Sequence, residues 1–266
     1  MAECSSYSQD DSKQEVETFE DENNGEITIG HSARILTAEE IAKLEKDSTV
    51  LSEYKQNKLE IEAQKNWDLF YKRNTTKFFK DRHWTKAEFG ELFEDQNNQE
   101  HQIALEVGCG VGNFIFPLLE ENKKLFFYAC DFSKRAVQFV KEHPLYNEER
   151  CHAFIDDLTQ EIKPDSVDAV SMVFVLSAIH PDKMVLKPGG KIMFRDYGLY
   201  DYAMLRFSTG HKLADNFYVR QDGTRAYYFS LDKLNSLMEE AGFEISSCNY
   251  VQRDTVNKKE GLCVPR

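Results

Sequence analysis

Gly108, Gly110 and Gly112 stand in G-x-G-x-G spacing within Leu105-Glu106-Val107-Gly108-Cys109-Gly110-Val111-Gly112-Asn113, directly after an apolar run. Glycine lets a strand-to-helix turn take positive φ and lets a ligand approach bare backbone. The dinucleotide fingerprint G-x-G-x-x-G is absent, which weakens a nicotinamide reading. An acid follows about twenty residues on, where a ribose diol would arrive. This is Asp131, closing Tyr128-Ala129-Cys130-Asp131. A carboxylate there accepts from both hydroxyls, although Asp131 also precedes Ser133 and a helical pattern, so helix capping is its competing role. Asp157-Leu158 ends a third apolar segment and offers an acceptor for an adenine amino group and an apolar surface for its ring; a plain polar turn is the alternative. Leu186-Lys187-Pro188-Gly189-Gly190-Lys191 is a tight turn into another apolar run, which ends at Arg195 and Asp196.

Such residues need strands to carry them to one edge. The alternation predicts strands at 103–107, 125–131, 152–156, 167–176 and 191–197, with helices at 113–121 and 134–142. Continuous apolar runs that take turns with helices mark an α/β, doubly wound, mostly parallel sheet whose ligand lies across the carboxyl ends of the strands. A helix at 230–241, a strand at 244–250 and a short strand at 262–264 are expected to close the chain. Ahead of the sheet, Thr37-Ala38-Glu39-Glu40 has the form of a capping box. Ile41, Leu44, Leu51 and Tyr54 follow at helical spacing, and the helical pattern continues from Leu59 to Tyr71. Trp67 and Tyr71, four apart, share one helix face. The expected division is an acidic disordered tail over 1–30, a helical extension over 31–100 and a catalytic domain over 101–266.

The chain has 266 residues and a formal charge of −13. Nine acids against Lys13 place −8 of that charge in the first thirty residues, so the acidic total does not exclude a nucleic-acid substrate. No run reaches the roughly 20 apolar residues of a membrane span, and residues 1–30 lack the basic start and apolar core of a signal peptide. A soluble protein of the cytoplasm, with the nucleus as a second compartment, is expected. The six cysteines, Cys4, Cys109, Cys130, Cys151, Cys248 and Cys263, form no C-x-x-C pair, which argues against both a zinc site and a disulfide framework.

The glycine loop, the two acid positions and the turn before the fifth strand form the pattern of a Rossmann-like class I methyltransferase using S-adenosyl-L-methionine. From Ala33 to the end the chain also resembles a narrower group, the methyltransferase-like family that forms N(3)-methylcytidine in the tRNA anticodon loop, and within it the branch acting on serine tRNA. The strings that carry this are Gln64 to Tyr71, Phe78 to Trp84, Leu105 to Asn113, Phe174 to Pro181, Phe194 to Asp201 and Tyr218 to Arg225. The resemblance implies that Trp67, Tyr71, Gly108, Asp131, Asp157, Leu158 and Val173 contact the cofactor, with Gly110 in the same loop. Trp67 and Tyr71 suit attraction to a sulfonium cation, and suit core packing equally. The resemblance also implies tRNA as partner with seryl-tRNA synthetase as a helper; a monomer with no membrane association and no metal is expected.

Two departures from the family stand out. Only about fourteen residues separate the fourth strand from the fifth, close to the minimum for a parallel crossover. The chain also stops at Val264-Pro265-Arg266 where the family continues its last strand, so a shortened form with an incompletely paired sheet is expected.

Cytosine N3 carries an in-plane lone pair and no proton, so positioning rather than a base supplies most of the rate. The product ring is cationic, and a carboxylate near it stabilises the charge as it develops. Asp196, with its neighbour Arg195, is the candidate catalytic position; a salt bridge between the two or a turn role is the alternative. N3 lies on the pairing edge, so the base must be unpaired or flipped out. Aromatic stacking and cations hold single-stranded RNA. Tyr200, Arg206, Lys212, Tyr218, Arg220 and Arg225 interleave both within 197–228, and Arg82 belongs to a second basic-aromatic group. An ordinary surface insertion is the other reading of 197–228. The rival functions are a small-molecule methyltransferase and a catalytically impaired form that only binds tRNA or a partner.

Overall fold

The computed structural model describes residues 17–20, 26–79, 102–157, 167–179, 191–257 and 262–265. The apolar runs around the glycine loop become five parallel strands: β3 (Gln102–Val107), β4 (Leu125–Asp131), β5 (Cys151–Ile155), β6 (Ala169–Val173) and β7 (Lys191–Arg195), in the order β5-β4-β3-β6-β7. The first strand of the motif is thus central, and the order reverses there, which opens a crevice at the carboxyl ends. Side chains alternate across the sheet. Ala104, Phe127, Ala129 and Met193 join one core with Ile115, Leu119 and Val140. Leu105, Val107, Cys130 and Met172 face the other way, into a core with Phe217, Phe229 and Leu234.

Helices α4 (Ile115–Glu121) and α5 (Lys134–Lys141) follow β3 and β4. Ser133 caps α5, its hydroxyl accepting from Ala136 N–H at 3.3 Å. The opposite core is closed by the antiparallel strands β8 (Lys212–Ala214), β9 (Phe217–Val219) and β10 (Arg225–Tyr227), which follow the short α6 (Tyr202–Leu205), and by α7 (Leu231–Glu240). Residues 180–190, the short crossover, and the glycine-rich turn within it lie outside the described residues. β6 and β7 nonetheless pair in parallel from Ala169↔Lys191 to Val173↔Arg195.

Thr37 caps α1 (Ala38–Lys46) through the expected capping box with Glu40. The rest of the extension is not one continuing helix. Leu51 lies between α1 and α2 (Glu53–Ile61), where its N–H donates to Lys212 O at 2.9 Å. A further break at Glu62 separates α2 from α3 (Ala63–Asn74). Tertiary pairing with β8 competes here with helix continuation and wins.

Three other expectations are corrected. The fourth strand ends at Val173 rather than residue 176, because Phe174 adopts φ +60° and residues 176–178 form a 3-10 turn. Residues 244–249 form no strand; β11 runs Tyr250–Asn257 and pairs with β12 (Leu262–Pro265). The tail is not without structure throughout, since β1 (Glu17–Glu20) and β2 (Glu26–Gly30) pair with each other and β2 pairs with β11 from Tyr250↔Gly30 to Arg253↔Ile27. A strand forms where a partner backbone is available, and both partners here lie more than two hundred residues apart in sequence. These last strands build a separate sheet, β1-β2-β11-β12, and do not extend the parallel one.

Candidate active site

The crevice begins at the glycine loop. Gly108, Gly110 and Gly112 take φ of +64°, +55° and +87°. A Cβ on Gly110 would lie 2.9 Å from the Tyr71 hydroxyl, and one on Gly108 would meet Val175 at 2.5 Å, so a side chain at either would close the space. Asp131, at the end of β4, ties the loop down. One carboxylate oxygen accepts from Gly110 N–H at 3.0 Å and the other from Ser133 N–H at 2.8 Å. Burial pushes its carboxyl up to about 6, against the lowering effect of those two donors. Asp131 therefore orders the glycine loop and the turn into α5, while the cap of that helix is Ser133.

Helix α3 forms the roof. Its Asp68 carboxylate accepts from the Ser133 hydroxyl at 3.0 Å, Arg135 N–H at 3.2 Å and Arg135 Nε at 2.8 Å, which seats the helix on the start of α5. Gln64 Nε2 donates to Phe132 O at 2.7 Å and Asn66 Nδ2 to Gly223 O at 3.2 Å, so α3 also reaches the β9–β10 turn. Trp67 and Tyr71 then line a cleft together with Gly108, Gly110, Val173 and Phe174. Five of the expected cofactor contacts, Trp67, Tyr71, Gly108, Gly110 and Val173, thus converge on one space. Asp157 is half-buried in the turn after β5, next to β4, where Asp156 N–H donates to Asp131 O at 3.2 Å. Leu158 lies outside the described residues.

Asp196 follows β7, which lies beyond β6 from β3 in the sheet order. Its carboxylate accepts from Ser177 N–H and Tyr197 N–H, both at 2.9 Å, and from the Ser177 hydroxyl. Burial again pushes the carboxyl up to about 6, while these donors and the Arg220 charge pull it down. No Arg195–Asp196 salt bridge is among the described ion pairs; Arg195 ends β7, and its carbonyl accepts from Phe174 N–H at 2.7 Å.

The residues expected to hold RNA do not form one surface. Tyr218 is 3% exposed and stacks on Phe207 at 4.8 Å, which makes it a core aromatic. Arg225 is 5% exposed; its guanidinium pairs with Glu60 and lies 5.6 Å from the Phe217 ring, so it ties α2 to β10 and faces no phosphate. Interleaved aromatics and cations read as an RNA surface when, at β9 and β10, strand pairing turns them inward. Arg220 is half-buried, 5.5 Å from the Tyr197 ring, and donates to Arg225 O at 2.9 Å. Lys212 pairs with Asp215 at 2.9 Å, Tyr200 is half-buried, and Arg206 is exposed. Arg82 lies outside the described residues. Sequence reasoning missed Phe174 and Ser177 as site residues. The signals available for them were their place at the end of an expected sheet strand, 167–176, and their membership of the string Phe174 to Pro181 that carries the family resemblance.

Comparison with known proteins agrees with this arrangement. The methyltransferase domain family matches residues 105–192. The chain is 58% identical over 252 residues to the Homo sapiens tRNA N(3)-cytidine methyltransferase METTL6, covering 89% of each chain. It is 40% identical over 273 residues to the Danio rerio tRNA N(3)-cytidine methyltransferase METTL2, with 85% of this chain and 77% of that one aligned. It is also 40% identical over 233 residues to the Schizosaccharomyces pombe tRNA N(3)-methylcytidine methyltransferase trm141, with 81% and 94% aligned. With a methyltransferase domain at its centre and this identity along nine-tenths of its length, the chain belongs to the tRNA N(3)-cytidine methyltransferase family.

Proposed function

We propose that the chain transfers the methyl group of S-adenosylmethionine to N3 of cytidine 32 in the anticodon loop of serine tRNA, with seryl-tRNA synthetase as a helper. The observation that carries this reading is the cleft where Trp67 and Tyr71 meet the glycine loop and Val173, with Asp131 at the end of β4 bonded to Gly110 N–H and Asp196 following β7 in the same parallel sheet. The residues fit the cofactor: the Gly108–Gly110 backbone admits close approach, and the Asp131 carboxylate stands beside it for a ribose diol. Trp67 and Tyr71 offer aromatic faces to a sulfonium. When bound, S-adenosylmethionine supplies an electrophilic methyl group. Asp196 faces the reaction from the other side, where its negative charge favours the cationic methylated ring over the neutral base. Ser177 and Tyr197 hold that carboxylate in place.

Methyl transfer from labelled cofactor to total tRNA, with and without seryl-tRNA synthetase, followed by nucleoside analysis, tests the reading. Labelled 3-methylcytidine confined to serine tRNA is expected. Label in another nucleoside, or transfer only to small molecules, rejects it.

A further inference from the structure

Phe174 is a bulky residue at φ +60°, in the left-handed region that such side chains seldom occupy. Strain of this kind persists only where the surroundings enforce it, and it gathers at functional sites. Here the conformation ends β6 at Val173 and brings the half-buried ring to the wall of the cleft that Gly108 and Gly110 also line. Among the contacts that hold it, Phe174 N–H donates to Arg195 O at 2.7 Å, and its ring lies 4.9 Å from the Tyr197 ring. The sheet order assigns the two sides of the crevice. Asp131 and Asp157 follow β4 and β5, so the adenosine end belongs on that side of β3; Phe174 and Asp196 follow β6 and β7, on the other.

We infer that Phe174 is the platform on which the target pyrimidine stacks once it has left the RNA stack, holding its pairing edge between the glycine loop and Asp196. This rests on the methyltransferase reading above. An extruded base loses its stacking neighbours, and an aromatic side chain replaces them without demanding a sequence. The half-buried ring packs against the sheet core and also lines the cleft, so it is anchored on the fold while it borders the space where a base would enter.

The test uses the full chain with seryl-tRNA synthetase, S-adenosylhomocysteine to prevent turnover, and serine tRNA carrying pyrrolocytosine at position 32. Binding should quench pyrrolocytosine fluorescence in the wild type and in Phe174→Tyr. Phe174→Leu should lose most of the quench and at least tenfold in kcat on unlabelled tRNA, with cofactor and tRNA Kd within about threefold of wild type. Phe174→Gly, which relieves the strained backbone, should keep the fold and show the same two losses, so the outcome does not depend on Leu being tolerated. Retained quench and turnover in Phe174→Leu or Phe174→Gly would overturn the proposal. So would a tenfold loss of cofactor affinity in either, since the ring would then belong to the cofactor. Failure of the underlying reading would show separately, as a wild type that methylates no tRNA.

Discussion

Asp131 and Asp196 both gain a proton more readily in the folded chain than in water. Burial raises each carboxyl to about 6, because the ionised form loses solvent that Gly110 and Ser133, or Ser177 and Tyr197, replace only in part. The sign for stability follows. Between about 4 and 6 the native state binds more protons than the unfolded chain, so these two groups make the free protein less stable as pH rises through that window, the reverse of a salt-bridged carboxylate. The proposed reaction uses the charged forms. We predict that kcat/KM rises with pH through an apparent pKa near 6 and levels off above 7, and that cofactor affinity weakens below pH 6; a pH–rate profile paired with calorimetry checks both. Asp131→Ala should weaken cofactor binding by about 1.5 to 3 kcal/mol through lost charge-assisted hydrogen bonds, and unchanged affinity would remove Asp131 from the site. Asp196→Asn keeps the size and removes the charge, so a turnover loss of roughly 10²-fold is expected, with cofactor and tRNA affinities changed less than about tenfold. Normal turnover in folded Asp196→Asn would make that carboxylate structural.

Helix α3 acts as the roof because of one acid. Asp68 sits where α5 begins, and an anion there meets both free N–H groups and the positive end of the helix. Burial works against its ionised form, yet the donors from Arg135 and Ser133 outweigh burial and hold the carboxyl below its ordinary range. Asp68→Ala should therefore loosen α3 from the sheet. A stability loss of about 1 to 3 kcal/mol is expected, together with weaker cofactor binding, because Trp67 and Tyr71 ride on the same helix. Thermal unfolding with and without S-adenosylhomocysteine measures the two effects together. Arg225 binds α2 to β10 in the same way from the opposite core. Removing Arg225 takes this partner from Glu60, whose side chain stays a quarter exposed, so Arg225→Ala should cost about 1 to 3 kcal/mol and lower the yield of folded protein. A well-folded Arg225→Ala that loses only tRNA affinity, in a salt-dependent manner, would return Arg225 to the RNA surface.

At the scale of the molecule, segments far apart in sequence share one sheet. Backbone pairing of β2 with β11 makes residues 26–30 part of a sheet whose other members lie at 17–20, 250–257 and 262–265. Deleting residues 1–30 should expose one edge of β11 and lower the unfolding temperature, whereas deleting 1–16 should change little. Hydrogen exchange at Tyr250–Arg253 gives the specific readout. Faster exchange in the longer deletion alone is expected, and unchanged exchange in both would show that the N-terminal strand does not protect β11.

Local pattern alone determined the parallel sheet, the glycine loop, the capping box at Thr37 and the acid after β4, because each is written within about ten residues by hydrophobic period, cap chemistry or glycine spacing. Pairing partners and side-chain direction were decided only in three dimensions. Tyr218 and Arg225 read as RNA contacts until the pairing of β9 with β10 and the ion pair with Glu60 turned them inward. Residues 17–30 read as a solvated tail because nothing near them in sequence reveals β11, and residues 244–249 read as a strand because nothing near them reveals that pairing with β2 begins only at Tyr250. The Phe174 conformation depends on the Arg195 carbonyl and the Tyr197 ring, both brought alongside by the parallel register of β6 and β7. Short-range chemistry is legible in a chain; which backbone lies beside which is a property of the whole.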